Sequence, residues 1–247
     1  MADLLFEGPE LAALYDPLCP RDERGDFGFY LPMILSAESV LDVGCGTGSL
    51  LREAREAGHQ GRLVGIDPAV GMIEQARRYP GIEWVHGDLT STDLRGRFDF
   101  IVMTGHAFQV LLDDAQILET LNAIRRRLAP GGHFGFETRN PEAREWEEWG
   151  SEGPLTIAYP GGPPVTYVCK VETPFDGKTL SFTQTYSSKA WATPRVSWST
   201  LRFLGVAELN GFLREAGLEL VEQYGDWDRG PVTTSSREVI SVVRVST

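Results

Sequence analysis

Between residues 39 and 138 the chain switches repeatedly between two hydrophobic periods. Short apolar, β-branched runs at Ser39–Gly44, Arg62–Asp67, Ile82–Asp88, Phe98–Met103 and His133–Thr138 read as strands. Between them, apolar residues recur at helical spacing over Ser49–Ala57, Val70–Arg78 and Ala115–Leu128. The last of these carries Ile117, Leu118, Leu121, Ile124 and Leu128 on one stripe, and Pro130-Gly131-Gly132 is expected to stop it. Strands alternating with helices predict a parallel sheet covered on both faces.

After Asn140 the pattern changes. Residues 150–203 carry no helical repeat, while Val165–Glu172, Thr179–Tyr186 and Arg195–Phe203 alternate as strands. Asp176-Gly177 joins the first two as a hairpin turn. Helical periodicity returns at Ala207–Gly217, followed by strands at Leu218–Gly225 and Arg237–Val245. The expected fold is α/β: a doubly wound, Rossmann-like, seven-stranded and mostly parallel sheet with an antiparallel β insertion. The expected division is a helical arm over 1–36, a core over 37–149 and 204–247, and an antiparallel insertion over 150–203. The Tyr224–Pro231 segment, with Asp226, Trp227 and Asp228, reads as a surface loop.

Composition narrows the function. With 35 acidic and 23 basic residues the net charge is −12, which disfavours nucleic acid and anionic membranes as partners. Arg125-Arg126-Arg127 is too short a basic run to overturn that. The amino-terminal segment lacks a secretory pattern, no run is apolar enough to span a bilayer, and the three cysteines, Cys19, Cys45 and Cys169, lie far apart. These features predict a cytoplasmic protein, monomer or homodimer, with no metal site.

The candidate chemistry begins at Val40–Gly48, where Gly44, Gly46 and Gly48 follow the first strand. An open α/β sheet binds its ligand at this carboxyl edge. The spacing is G-x-G-x-G, and a dinucleotide fingerprint has G-x-G-x-x-G. Asp42, two residues upstream, would repel a pyrophosphate and attract an ammonium group. Asp67 ends the second strand and Asp88 the third, and the Thr104-Gly105 turn ends the fourth.

This ordered set, over about residues 38–138, resembles the class I S-adenosylmethionine-dependent methyltransferases, in particular bacterial sugar and glycine N-methyltransferases. The resemblance implies S-adenosylmethionine as cofactor. It also implies that Asp42, Gly44, Cys45 and Gly46 cradle the methionine portion, with Thr104 at the neighbouring strand end. Asp67, followed by Pro68, would grip the ribose hydroxyls. Asp88 and the Leu89 amide would meet the adenine, with Met72 packed on it. The arm over 1–36 would act as a lid, with Tyr15 and Tyr30 facing the carboxylate or sulfonium end, and the insertion over 150–203 would cap the acceptor site. For the acceptor half, His106 is the candidate base, and Phe108, Glu137 and Arg139, with Asn140, are candidate acceptor contacts. The expected reaction is methyl transfer to an amine or hydroxyl of a small molecule. The alternatives are a tRNA or protein methyltransferase, a nicotinamide-dependent oxidoreductase and a non-catalytic cofactor-binding module.

Overall fold

The computed structural model describes residues 3–151, 153–159 and 162–246. Strands β1 (Ser39–Val43), β2 (Arg62–Asp67), β3 (Glu83–His86), β4 (Phe98–Met103), β5 (Leu128–Arg139), β10 (Leu218–Tyr224) and β11 (Glu238–Val245) form one sheet in the order β10-β11-β5-β4-β1-β2-β3. Strands β1 to β5 pair in parallel, and β11 runs antiparallel between β5 and β10. The order reverses at β1 and β4, whose carboxyl ends open the crevice where such sheets hold ligands.

Side-chain alternation sorts the two faces. Leu41, Val43, Ile101, Phe134 and Phe136 face one apolar layer, with helices α7 (Asp114–Arg127) and α8 (Val206–Glu215) over it. Val40, Phe100, Val102 and Ile240 face the other, covered by α4 (Gly25–Ser36) and α5 (Ser49–Glu56). Because Asp42 is two residues from Val40, it points to the α4/α5 side. Helix α7 starts on a capping box in which Gln116 N donates to Asp113 Oδ1 at 2.8 Å.

Two element boundaries differ from the sequence reading. Helix α7 stops at Arg127, and β5 starts at Leu128, ahead of the Pro130-Gly131-Gly132 segment. Leu128 pairs with Phe98 and His133 with Phe100, so the proline and glycines form a bulge within the strand. Short helix α6 (Val70–Ala76) follows β2.

The second sheet holds β6 (Leu155–Ile157), β7 (Val165–Thr173), β8 (Thr179–Ser188) and β9 (Arg195–Arg202), all antiparallel. Strand β6 was not expected, because three residues give no period to read. Arg202, 2 % exposed, ties this sheet to the core through Asp114 at 2.7 Å and Glu208 at 3.1 Å. Ahead of α4 the arm carries α1 (Leu4–Glu7), α2 (Pro9–Ala12) and α3 (Tyr15–Leu18).

The 224–231 segment is the surface loop expected, with Asp226, Asp228, Arg229 and Pro231 exposed, and it is anchored by its tryptophan. Trp227 packs its ring on Phe29 and Tyr30, at 5.9 and 6.2 Å between centroids, and lies close against Gly25.

Candidate functional site

The glycine loop turns on left-handed backbone that side chains avoid. Gly48, at φ +80°, also lies so close to the Trp84 ring that a Cβ would sit 2.3 Å from it. Gly46, at φ +55°, faces open space, and a Cβ there would project into the crevice. The loop amides are already engaged: Gly44 N and Cys45 N donate to Ile66 O at 2.8 and 3.2 Å, and Gly46 N to Asp67 Oδ2 at 2.9 Å. Amides committed in this way do not form a phosphate cradle.

Asp42 is the electrostatic centre of this half. Its side chain is 1 % exposed and its Oδ1 is sealed with no hydrogen-bond partner. Burial, reinforced by Asp67, pushes its carboxyl up to about 8. It lines a cavity of about 30 Å³ with Tyr15, Arg24, Gly46, Thr47 and Thr104. A buried carboxylate oxygen without a donor is costly, and a cationic amino group supplies the missing donor and charge together. The residues present therefore fit the ammonium end of S-adenosylmethionine.

Asp67 closes β2 with Oδ1 accepting from Ala69 N at 2.8 Å and Oδ2 from Gly46 N at 2.9 Å. Burial raises its pKa against these two bonds, and each oxygen keeps a lone pair for a ribose hydroxyl. Pro68 is exposed beside it. Asp88 is exposed at the neighbouring strand end, its Oδ1 accepting from Thr90 N at 2.7 Å, and Leu89 N has no partner among the described residues. Met72, 1 % exposed, lies beneath Ala12, Phe6 and Tyr15 of the arm. The arm lies over α6 so closely that a Cβ on Gly71 would meet Phe6 O at 2.7 Å.

Three further arm residues complete the closure, and sequence reasoning missed two of them, Arg24 and Asp26. Asp16 Oδ1 accepts from Thr47 Oγ1 at 2.5 Å and Ser49 Oγ at 3.1 Å, where the α5 N-terminus favours an anion. Arg24 grips Asp26 with two hydrogen bonds, Nε to Oδ1 at 2.9 Å and Nη2 to Oδ2 at 2.5 Å, while lining the Asp42 cavity. Burial works against the Arg24 charge, but the Asp26 pair outweighs it and holds the guanidinium protonated. The signal available was Arg24-Gly25-Asp26, an ion pair two residues apart before an aromatic helix. Tyr15 lies in the cavity wall, its phenol pushed up to about 12 mainly by burial.

Tyr30 is placed differently from the expectation at the cofactor. It is fully buried behind β5, within 2.8 Å of where a Cβ on Gly135 would stand, and its hydroxyl donates to Glu137 Oε2 at 3.0 Å. Glu137, 1 % exposed, accepts His106 N on its other oxygen at 3.1 Å. Burial, followed by the charge of Asp26, raises its carboxyl well above the usual range. Glu137 thereby pins His106 at φ +60°, a backbone state that costs a non-glycine residue about 1–2 kcal/mol. The His106 ring meets Glu238, with Nε2 at 3.0 and 2.9 Å from its two oxygens. Burial and then Arg139 lower the imidazole pKa, and Glu238 opposes them.

The remaining acceptor candidates divide. Arg139 lies at the cleft, held by Gln109 Oε1 at 3.0 Å and Glu145 at 3.2 Å, over the Trp149 ring. Phe108 is 1 % exposed and packs on Phe136 at 4.7 Å, so it is a core residue and does not reach the cleft. Asn140 is also diverted: its Nδ2 donates to Thr233 O and Ser236 O at 3.0 and 2.9 Å, which anchors the 225–236 loop. Trp146 packs on Phe175 and Phe203, each at 4.6 Å.

Comparison with known proteins agrees with this geometry. A family model described as a methyltransferase domain matches residues 40–132. The cypemycin N-terminal methyltransferase of a Streptomyces species is 28% identical over 215 residues, covering 85% of this chain and 84% of its own length. The 2-phytyl-1,4-naphtoquinone methyltransferase of Thermosynechococcus vestitus is 36% identical over 157 residues, covering 59% of this chain and 68% of its own. Among solved structures, the CcbJ methyltransferase from Streptomyces caelestis superposes with a TM-score of 0.79 at 23% identity, over 98% of both chains. The sugar N-methyltransferase KedS8 from a Streptoalloteichus species does so at 0.71 and 18%, over 94% of this chain and 93% of that one. The glycine loop, the orphaned Asp42 oxygen and these relatives agree: the chain belongs to the class I S-adenosylmethionine-dependent methyltransferases, and S-adenosylmethionine is its cofactor.

Proposed function

We propose that this enzyme methylates an amine nitrogen of a small molecule. The observation that carries the reading is the Glu238 carboxylate on the ring of His106, next to the Thr104 strand end of the cofactor cradle. An amine arriving as an ammonium ion is attracted by such a setting and must lose a proton before it can attack. The naming of one relative for an N-terminal amine points the same way.

Bound S-adenosylmethionine supplies a methyl group already activated by the sulfonium charge. The chain's own part is binding, orientation and proton transfer. Asp42 accepts the cofactor's ammonium, Arg24 faces its carboxylate, and Asp67 takes the ribose hydroxyls. Asp88 and Leu89 N meet the adenine, with Met72 beneath it. Tyr15 presents an aromatic face to the positive centre. His106 takes the proton released by the acceptor, and Arg139 orients the acceptor's polar substituents. The antiparallel sheet over 150–203 closes the acceptor side together with the arm over 1–36, excluding water. The net charge of −12 argues against nucleic acid as acceptor, and the unpaired thiols suit the cytoplasm.

The test is transfer of labelled methyl groups from S-adenosylmethionine to a panel of amino sugars, amino acids and short peptides, each with its hydroxyl counterpart. Labelled product is expected on amines, with none on the matched hydroxyl compounds. Turnover confined to hydroxyl or carboxyl acceptors overturns the reading.

A further inference from the structure

Three parts of the main sheet converge on one imidazole. The turn after β4 carries His106, β5 supplies Glu137 to its backbone amide, and β11 supplies Glu238 to its ring. Antiparallel register makes this possible: Ile240 lies opposite Glu137 and Glu238 opposite Arg139, so the carboxylate on β11 stands two residues further toward the crevice. The His106 backbone is left-handed at φ +60° and stays so because Glu137 holds it there.

The ring is held at one edge only. Nε2 lies 3.0 and 2.9 Å from the two Glu238 oxygens, whereas Nδ1 has no partner among the described residues. Nδ1 is also absent from the buried, partnerless atoms, where the corresponding nitrogen of His59 is found. The His106 side chain keeps 19% of its surface exposed, against 14% for Glu238, so the ring has an accessible edge. A carboxylate cannot donate, so the nitrogen it faces must carry the proton and the other nitrogen is left as the base.

We propose that Glu238 is the positioning residue for His106: its carboxylate fixes the Nε2–H tautomer and leaves Nδ1 to receive the proton given up by the acceptor. This rests on the amine methylation proposed above. In that step the acceptor nitrogen bonds to the methyl carbon, the carbon–sulfur bond breaks with its electron pair going to sulfur, and the acceptor's proton passes to Nδ1. The charged groups acting on the ring are Glu238 from β11, Arg139 from β5 and Glu145 from the following turn, and the titratable Glu137 of β5 meets the backbone amide of the same residue. Burial and Arg139 disfavour the imidazolium and the Glu238 carboxylate favours it, so neutralising Glu238 lowers the imidazole pKa further.

The experiment is long-range proton–nitrogen NMR on the full chain with S-adenosylhomocysteine bound. A His106→Gln control separates the His106 signal from those of His59, His86 and His133. The expected wild-type signal is the Nε2–H tautomer. Glu238→Gln should lower the His106 midpoint by about half a unit or more, and Glu238→Asp should recover part of it. S-adenosylhomocysteine affinity should stay within about twofold in both variants, reporting an intact cradle. In turnover with an amine acceptor, Glu238→Gln should lower kcat about tenfold with little change in KM, and the acid limb of the pH profile should move with the NMR midpoint. An Nδ1–H tautomer in the wild type, a midpoint that moves in neither variant, or a pH profile that ignores the midpoint overturns the proposal. The expected NMR result with no turnover on any amine supports the hold of Glu238 on His106 and counts against amine methylation instead.

Discussion

The two halves of the cleft are built by opposite means. In the cofactor half, Asp42, Gly46, Asp67, Asp88 and Thr104 come from successive strand ends, placed by backbone that the parallel sheet defines. In the proposed acceptor half, the contacts join residues distant in the chain: His106 to Glu238 across 132 positions, and Tyr30 to Glu137 across 107. The first half depends on strand geometry and glycine conformations. The second depends on strand register at β5 and β11 and on how the arm packs.

Substitutions in each half should therefore fail differently, and the largest effect is expected at Asp67. Asp67→Ala removes the carboxylate proposed to accept from two ribose hydroxyls, and charged hydrogen bonds contribute about 1.5–3 kcal/mol each. S-adenosylhomocysteine affinity, measured by calorimetry, should fall about 100-fold. A normal affinity would break the distinction between the halves.

Next comes a proton-linked effect at Asp42. With its carboxyl at about 8, free Asp42 is mostly protonated at neutral pH, and a cationic amino group beside it favours ionisation. Binding should thus release a proton, and affinity should rise about tenfold from pH 6 to 7 and about fivefold more to pH 8, then level off. Asp42→Asn should abolish that dependence. Stability of the free protein moves the other way. The folded state binds the Asp42 proton more tightly than the unfolded chain, so this group's contribution is complete below pH 3.8 and is lost as pH rises toward 8. In Asp42→Asn that decline should be smaller.

A smaller loss is expected in the acceptor half. Tyr30→Phe takes the hydroxyl from buried Glu137 and should destabilise the fold by about 1–2 kcal/mol, a few degrees in melting midpoint at this chain length. Cofactor affinity should hardly change, which sharpens the contrast with Asp67. The smallest effect belongs to the arm latch. Asp16→Ala removes the acceptor for Thr47 and Ser49 at a partly exposed site, so a cost below about 1 kcal/mol is expected, read as faster release of S-adenosylhomocysteine in stopped flow.

Particular residues show where sequence reading reached and where it stopped. Arg62–Asp67 and Phe98–Met103 were legible to their last residues because a strand buried on both faces leaves a nearly continuous apolar run, Leu63–Ile66 in one and Phe100–Met103 in the other. The edge of the 128–139 strand was not, because a proline and two glycines mark a stop whether they end a helix or form a bulge. Phe108 and Asn140 stand in the segments where acceptor contacts were sought, yet one packs into the core and the other anchors a distant loop. Glu238 reads as an ordinary polar residue at the start of an apolar strand, and only pairing with β5 brings it to His106.

The sequence by itself determined the strands and the order of their ends, because periodicity and glycine spacing are local properties that fix backbone shape, and it identified the cofactor through the resemblance those ordered strand ends carry. Only the tertiary structure decided that Asp42 is orphaned over a small cavity, that Arg24 lines the same cavity, and that two glutamates hold His106. Those facts depend on burial and on contacts across more than a hundred residues, and the free energy of a buried charge is set by everything packed around it.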